Sequence, residues 1–134
     1  MNTLDIQNAL DAQLQTIANL PALQTENNRF NASTNIASWV RSTLMPAQSS
    51  VLAIGPNALT QMQGFYQVDV FYPADTGITA ARTLADTIVS TFPVGLRLVG
   101  SSGTVIVDVT SVITAYSINK YYCIPVRIQW SVFG

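Results

Sequence analysis

The 134-residue chain is 49% hydrophobic and only 10% charged, and its six basic and seven acidic residues give a formal net charge of −1. This length fits one domain with its own core, and so few charges, against about 25% in average soluble domains, leave surface that other subunits can cover. The basic residues are scattered singly, which argues against tight nucleic-acid binding, and no apolar run is long enough to span a membrane.

The residue types needed for most catalytic sites are scarce. Histidine is absent and Cys123 is the single cysteine, which removes the commonest general base, the Ser-His and Cys-His nucleophiles and any thiolate zinc site within one chain. We therefore predict no enzymatic activity, no cofactor and no metal site. The first residues show no basic segment followed by an apolar run, so we expect the chain to be made in a reducing cytoplasm.

The N-terminal segment predicts an amphipathic helix over residues 3–20. Asn2 or Thr3 can cap it, and Pro21 stops it. Its apolar side chains recur at helical spacing, namely Leu4, Ile6, Leu10, Leu14 and Ile17. The polar residues 24–34 then predict a connection.

Two strands and a second helix follow. Residues 36–45 and 64–72 alternate in polarity, as half-buried strands do, and a short apolar run over residues 51–54 lies between them. Residues 78–92 have helical periodicity with one apolar face, formed by Ile78, Ala81, Leu84, Ala85, Ile88 and Phe92.

The C-terminal part is wholly β in pattern. Residues 95–99 and 104–109 flank a Gly-Ser-Ser-Gly turn and predict a hairpin, which residues 112–116 continue after a kink. Residues 121–133 form the last strand, and Pro125 predicts that this strand lies at an edge or carries a bulge. The sequence thus predicts an α+β fold, a small mainly antiparallel sheet of four to five strands flanked by two helices. The single domain covers residues 1–134, with an N-terminal helical segment 1–22 and an α+β core 36–134.

Three weak chemical signals favour structural interpretations. Asp69 and Asp108 are both mid-strand and could form an acid pair, but alternation predicts solvent-facing positions. The glycine turn at residues 100–103 precedes a strand instead of a helix, so it is not a phosphate cradle. The five tyrosines lack interleaved basic residues, so core and subunit packing is favoured over base stacking.

Residues 30–134 resemble the tail terminator or tail completion proteins of long-tailed phages and prophages. Three stretches carry the resemblance: the strand ending LMPA at residues 44–47, the segment GFYQVDVFYPADTG at residues 64–77, and ADTI at residues 85–88 with Phe92 and Gly95. Their order and spacing together match the family.

The resemblance implies a structural virion protein with a mainly antiparallel sheet and helices. Such subunits form a homo-oligomeric ring, expected to be a hexamer, at the head-proximal end of the tail. The ring stops tail-tube polymerisation and offers a docking surface to the head–tail connector or neck protein. DNA passes through its lumen without specific binding, no membrane is involved, and assembly takes place in the host cytoplasm.

Contact residues are predicted in two exposed loops, because loops on a rigid scaffold often carry binding residues. The loop over residues 47–63 and its following strand contribute Gln61, Met62 and Phe65, and the hairpin tip contributes Ser101 and Ser102. Three alternatives stay open: a head–tail adaptor, neck or baseplate component; a small ligand-binding or regulatory domain of a bacterial host; and a hydrolase using Asp69 and Asp108.

Overall fold

A computed structural model shows two helices packed against one face of a single curved sheet. It describes residues 2–18, 20–24, 38–47, 50–51, 60–74, 77–100, 102–118 and 120–133. In chain order the elements are α1 (Thr3–Leu14), β1 (Ala22–Gln24), β2 (Trp39–Pro46), β3 (Ser50–Val51), β4 (Thr60–Pro73), α2 (Thr79–Thr91), β5 (Arg97–Val99), β6 (Thr104–Val112), β7 (Tyr116–Ile118) and β8 (Tyr121–Phe133). The predicted connection at residues 24–34 lies outside the described residues except for Gln24, which ends β1.

Helix α1 begins as predicted and ends earlier. The Asn2 side chain accepts a 2.8 Å hydrogen bond from the Asp5 amide and caps the first turn. The helix ends at Leu14 and not near residue 20, because the Thr16 hydroxyl and amide both donate to the Gln13 carbonyl and tighten the chain into a turn. Leu4, predicted on the apolar stripe, is exposed.

Helix α2 lies within its predicted range. Its buried face consists of Ala81, Leu84, Ala85 and Ile88, as the periodicity indicated. Ile78 precedes the helix and is 51% exposed, so its predicted place on the buried face is wrong. The helix contacts β4, β6 and β8, which fixes it across the centre of the sheet.

The sheet is larger than the predicted four to five strands. Within the described residues, eight strands form one sheet with the order β1-β2-β4-β8-β6-β5, while β3 adds to β4 and β7 adds to β8. The sheet is mixed because β1 runs parallel to β2, whereas the other pairs are antiparallel. Strands β1, β3 and β7 are two or three residues long, too short for an alternation signal to reveal them.

Strand β8 is central, so the predicted edge position of Pro125 is wrong. Strands β4 and β6 flank β8, and the Pro125 carbonyl accepts a 2.8 Å hydrogen bond from the Ile113 amide. In an antiparallel sheet a residue presents its N and its C=O to the same neighbouring strand. The nitrogen of Pro125 therefore faces the gap between β6, which pairs with β8 up to Val126, and β7, which pairs with β8 up to Cys123. Because no strand pairs with β8 in that gap, the missing N–H costs no ladder hydrogen bond.

The core fills the space between the helices and one face of the sheet. Alternate residues of β8, from Ile124 to Val132, point into it. Ile6, Leu10 and Leu14 of α1 join the same cluster as the buried residues of α2. The period-two pattern therefore predicted this face of β4 and β8 correctly.

Gly64 sits at a close approach between β2, β4 and β8. A Cβ atom there would meet the Met45 carbonyl oxygen first and would lie 2.9 Å from both Pro46 Cα and Trp130 Cζ2. This contact gives a physical reason for glycine at the start of the GFYQV stretch, since a larger residue would have to push the backbone of β2 away.

Candidate protein-binding face of the sheet

The face of β2, β4 and β8 opposite the helices carries a network of polar and aromatic side chains. Register places Arg41 opposite Asp69, Gln67 opposite Arg127, and Phe65 opposite Gln129. Ser111 and Val109 of β6 extend the last two rows. Strand alternation directs all these side chains to the same side.

Asp69 is buried within this network. Arg41 donates from Nε and Nη2 to Asp69 Oδ2 at 3.2 and 3.0 Å, and Gln67 Nε2 donates to Oδ1 at 2.8 Å. The Asp69 side chain is 2% exposed and that of Arg41 is 41% exposed. The prediction that Asp69 faces solvent is therefore wrong: the carboxylate is buried and is bound by side chains of β2 and β4.

Arg127 is held in place by uncharged groups. Its Nε and Nη2 donate to Gln67 Oε1 at 3.3 and 2.9 Å, and its guanidinium lies 5.2 Å from the centroid of the Phe65 ring. Gln67 therefore links the Arg41–Asp69 ion pair to Arg127: its amide nitrogen donates to Asp69, and its amide oxygen accepts from Arg127. The described residues supply a carboxylate to Arg41 but not to Arg127.

Asp69 and Asp108 do not form an acid pair. Asp69 lies opposite Pro125, whereas Asp108 Oδ1 accepts a 3.1 Å hydrogen bond from Ser131 Oγ. Positions 125 and 131 of β8 are about 20 Å apart at about 3.3 Å per residue. Glycosidase carboxyl groups lie within about 10 Å of each other, so this geometry does not support the hydrolase hypothesis.

An aromatic cluster forms the other end of the same face. Trp39 stacks on Phe71 with ring centroids 4.0 Å apart, and Tyr121 meets both rings edge-on. Arg41 lies 5.1 Å from the centroid of Phe71, which connects the cluster to the polar network. Cys123 is buried within this cluster.

Cys123 is placed as a structural thiol. Burial raises its pKa to about 11, and a hydrogen bond with Tyr116, its partner on β7, lowers it in part. The same hydrogen bond, followed by burial, raises the pKa of Tyr116 to about 12. Both groups are therefore neutral at physiological pH, and the thiol lacks the thiolate character of a nucleophile.

The predicted contact residues occupy three different environments. Phe65 is 37% exposed on the polar face. Gln61 is half-buried, and the alternation of side chains along β4 places it on the same face. Met62 packs partly against the core. Ser102 Oγ donates to Asp5 Oδ2 at 2.5 Å and so ties the hairpin tip to the first turn of α1. Ser101 lies outside the described residues.

Two further exposed side chains of this surface were not predicted from the sequence. Val109 and Tyr116 are 48% and 42% exposed on the same face as Arg127. Each belongs to a strand whose register was unknown, so no sequence signal placed them together. The sequence signal for this surface was that Phe65 and Gln67 alternate with the apolar residues of β4 and so point away from the core.

The tyrosines are divided between core and surface. Tyr66 is fully buried, packs near Phe92 and donates from its hydroxyl to Asp11 Oδ1 of α1. Tyr72 and Tyr122 pack against the core, facing the helices, whereas Tyr116 and Tyr121 face the other side. This division supports packing over a base-stacking platform.

Within the described ranges, the geometry gives little support for a site for a small ligand or ion. A pocket of about 240 Å³ is lined by Ala74, Gly77, Ile78, Ser117 and Tyr122, which bring no charged side chain to it. The described part of the chain holds no group of His, Cys, Asp or Glu residues suited to a metal ion. None of its helices has the length and apolar character needed to cross a membrane.

The sequence profile of the phage tail terminator protein family matches residues 5–130. This chain belongs to that family. It is accordingly a structural protein of the phage tail, located in the virion, and the family match favours the virion hypotheses over a host ligand-binding domain. Among curated proteins, none matches the chain.

Solved structures show that the fold is shared. One, which bears no descriptive name, is 22% identical, has a TM-score of 0.77, and aligns over 98% of this chain and 96% of its own. A second, from the virion of a native gene transfer agent particle, is 19% identical with a TM-score of 0.64, over 97% and 96% of the two chains. At these identities the likeness shows the architecture, which both proteins keep along almost their whole length.

Proposed function

We propose that this tail terminator family member closes into a hexameric ring on the head-proximal end of the tail tube. There it ends tube polymerisation and presents the docking surface for the head–tail connector or neck protein. The family match over residues 5–130 is the observation that carries this proposal. The exposed side chains of the sheet face opposite the helices, among them Arg41, Phe65 and Val109, supply a surface suited to subunit contacts.

DNA is proposed to pass through the lumen without specific binding. Arg41 is paired with Asp69, and Arg127 is bound by Gln67. The exposed cations Arg82, Arg97 and Lys120 lie apart from one another, on α2, on β5 and in the turn between β7 and β8. A lumen with few free cations neutralises few phosphates and releases few counterions, so it exerts little drag on a moving duplex.

Residues 1–134 are proposed to act as one domain. Three apolar side chains of α1 belong to the same core cluster as those of α2 and the sheet, so α1 has no separate core. Phe65 and Gln61 are proposed to contact neighbouring subunits or rings, as are Met62 and the hairpin tip at Ser101 and Ser102.

Deletion of the gene in the parent phage, followed by electron microscopy of tails, tests the proposal. We expect overlong tails that wild-type protein supplied in trans restores to normal length. Tails of normal length beside filled, unjoined heads would instead indicate an adaptor or neck protein, and malformed distal tips a baseplate component. Purified protein should also cap preformed tail tubes at one end, and failure to do so would contradict termination.

A further inference from the structure

A surface around Arg127 combines a fixed cation with an apolar border. This surface, the Arg127 patch, consists of Phe65, Gln67, Val109, Ser111, Arg127 and Gln129, which are register neighbours on β4, β6 and β8. Gln67 and Phe65 fix the guanidinium from two sides. A pre-positioned arginine beside an exposed aromatic ring is the composition of protein interface centres.

No carboxylate among the described residues forms an ion pair with Arg127. The five N–H groups of its guanidinium make it a strong receptor for a carboxylate. Its two hydrogen bonds use one edge of the guanidinium and end on a neutral amide oxygen. An incoming carboxylate can therefore bind without displacing an existing ion pair. The ligand chemistry indicated is an exposed acidic side chain.

Asp86 on α2 provides such an acid on the opposite side of the molecule. The carboxylates of Asp5, Asp11, Asp69 and Asp108 each accept a hydrogen bond from a side chain of this same chain. Asp86 is exposed, and no such bond engages its carboxylate among the described residues.

Apart from the exposed Arg82, the rest of the outer surface of α2 is suited to burial. The hydroxyls of Thr83, Thr87, Ser90 and Thr91 each donate to the carbonyl four residues earlier, at 2.7 to 3.1 Å. Their donors are satisfied within the helix, so covering them leaves few unpaired polar groups. Asp86 thus lies mostly among small hydroxyl side chains of low desolvation cost, with the exposed Arg82 one helical turn before it.

We infer that the Arg127 patch of one subunit binds the outer face of α2 of the next subunit, with Asp86 reaching Arg127. Helix α2 covers one face of the sheet and the patch lies on the other, so each subunit presents the two complementary surfaces on opposite sides. A ring of identical subunits needs such a head-to-tail pair of patches. The inference rests on the proposed ring and assigns its contact.

Charge reversal at each position provides the test. Arg127→Glu and Asp86→Lys are each expected to weaken self-association at least about tenfold, because like charges then meet at every contact. Lys120→Glu, which removes an exposed cation outside the patch, should assemble as wild type does. Sedimentation velocity over a concentration series measures the effect, and circular dichroism shows that each variant folds.

Mixing the two variants distinguishes a shared contact from two unrelated defects. In an alternating ring of Arg127→Glu and Asp86→Lys subunits, every contact joins opposite charges, so the equimolar mixture should form closed rings and restore normal tail length when both are expressed together. Assembly of Arg127→Glu alone, or no recovery in the mixture, would overturn this contact while leaving the ring intact. A wild-type protein that neither forms rings nor caps tubes would instead refute the proposed function, and the inference with it.

Discussion

Replacing Gly64 by alanine tests the close packing of β2 against β4. The added Cβ would overlap the Met45 carbonyl oxygen and would lie 2.9 Å from Pro46 Cα and Trp130 Cζ2. Two of the three obstacles are backbone atoms, so relief requires strand β2 to move and not merely a side chain to rotate. Overpacking of this kind costs about 1–3 kcal/mol, and we expect the upper end, about 3 kcal/mol.

Thermal and urea unfolding, followed by circular dichroism, measure the cost. A loss of about 3 kcal/mol should lower the Tm by roughly 10 °C in a domain of this size. Gly95→Ala is the matched control: its φ is +85°, yet nothing lies within 4 Å of the added Cβ, so it should cost only about 1–2 kcal/mol of backbone strain. If Gly64→Ala unfolds no earlier than Gly95→Ala, the steric reasoning fails.

Further outcomes are expected at three other sites in the fold. Tyr66→Phe should lower the urea-unfolding free energy by about 1–2 kcal/mol, because it removes the hydrogen bond to Asp11; an unchanged midpoint would contradict this. Arg41→Ala should destabilise more than Asp69→Ala, since Arg41 is 41% exposed and can rehydrate while the carboxylate, 2% exposed, cannot; the reverse order in urea would refute it. Cys123 should react with a thiol reagent at pH 8 only after denaturation. Because its pKa is raised from 9.0 to about 11, the folded state keeps its proton while the unfolded state loses it, so stability should fall as pH rises from 9 to 11, and less steeply in Cys123→Ala.

Much of the scaffold could be predicted from periodicity. The strand over residues 121–133 and the buried face of α2 follow from alternation and helical spacing, because each element is long enough to repeat its pattern several times. The end of α1 could not be predicted, since the Thr16 hydroxyl competes locally for a helix carbonyl. The position of Pro125 was misjudged because its missing N–H matters only relative to a neighbouring strand.

The candidate surface could be predicted only in part. Phe65 was named as a contact residue from its place after an exposed loop, and the polar side of β4 was visible in the alternation. Arg127 on β8 and Val109 on β6 are both far along the chain from Phe65 on β4, and Asp69 is bound by a side chain of the neighbouring strand β2. Register decides all of these, and no short turn joins β4, β6 and β8 to one another, so no local pattern fixes which of their residues are opposite.

The sequence by itself determined that this is an α+β chain with no histidine and a single cysteine. Those properties reside in residue types and in periods of two and 3.6, which a single strand or helix expresses locally. The resemblance to tail terminators rests on short motifs, above all the segment at residues 64–77. The tertiary structure decided that Gln67 connects the Arg41–Asp69 ion pair with Arg127, and that the Arg127 patch and Asp86 lie on opposite sides of the sheet. These relations depend on which strands are neighbours, and that is fixed only when the whole core is packed.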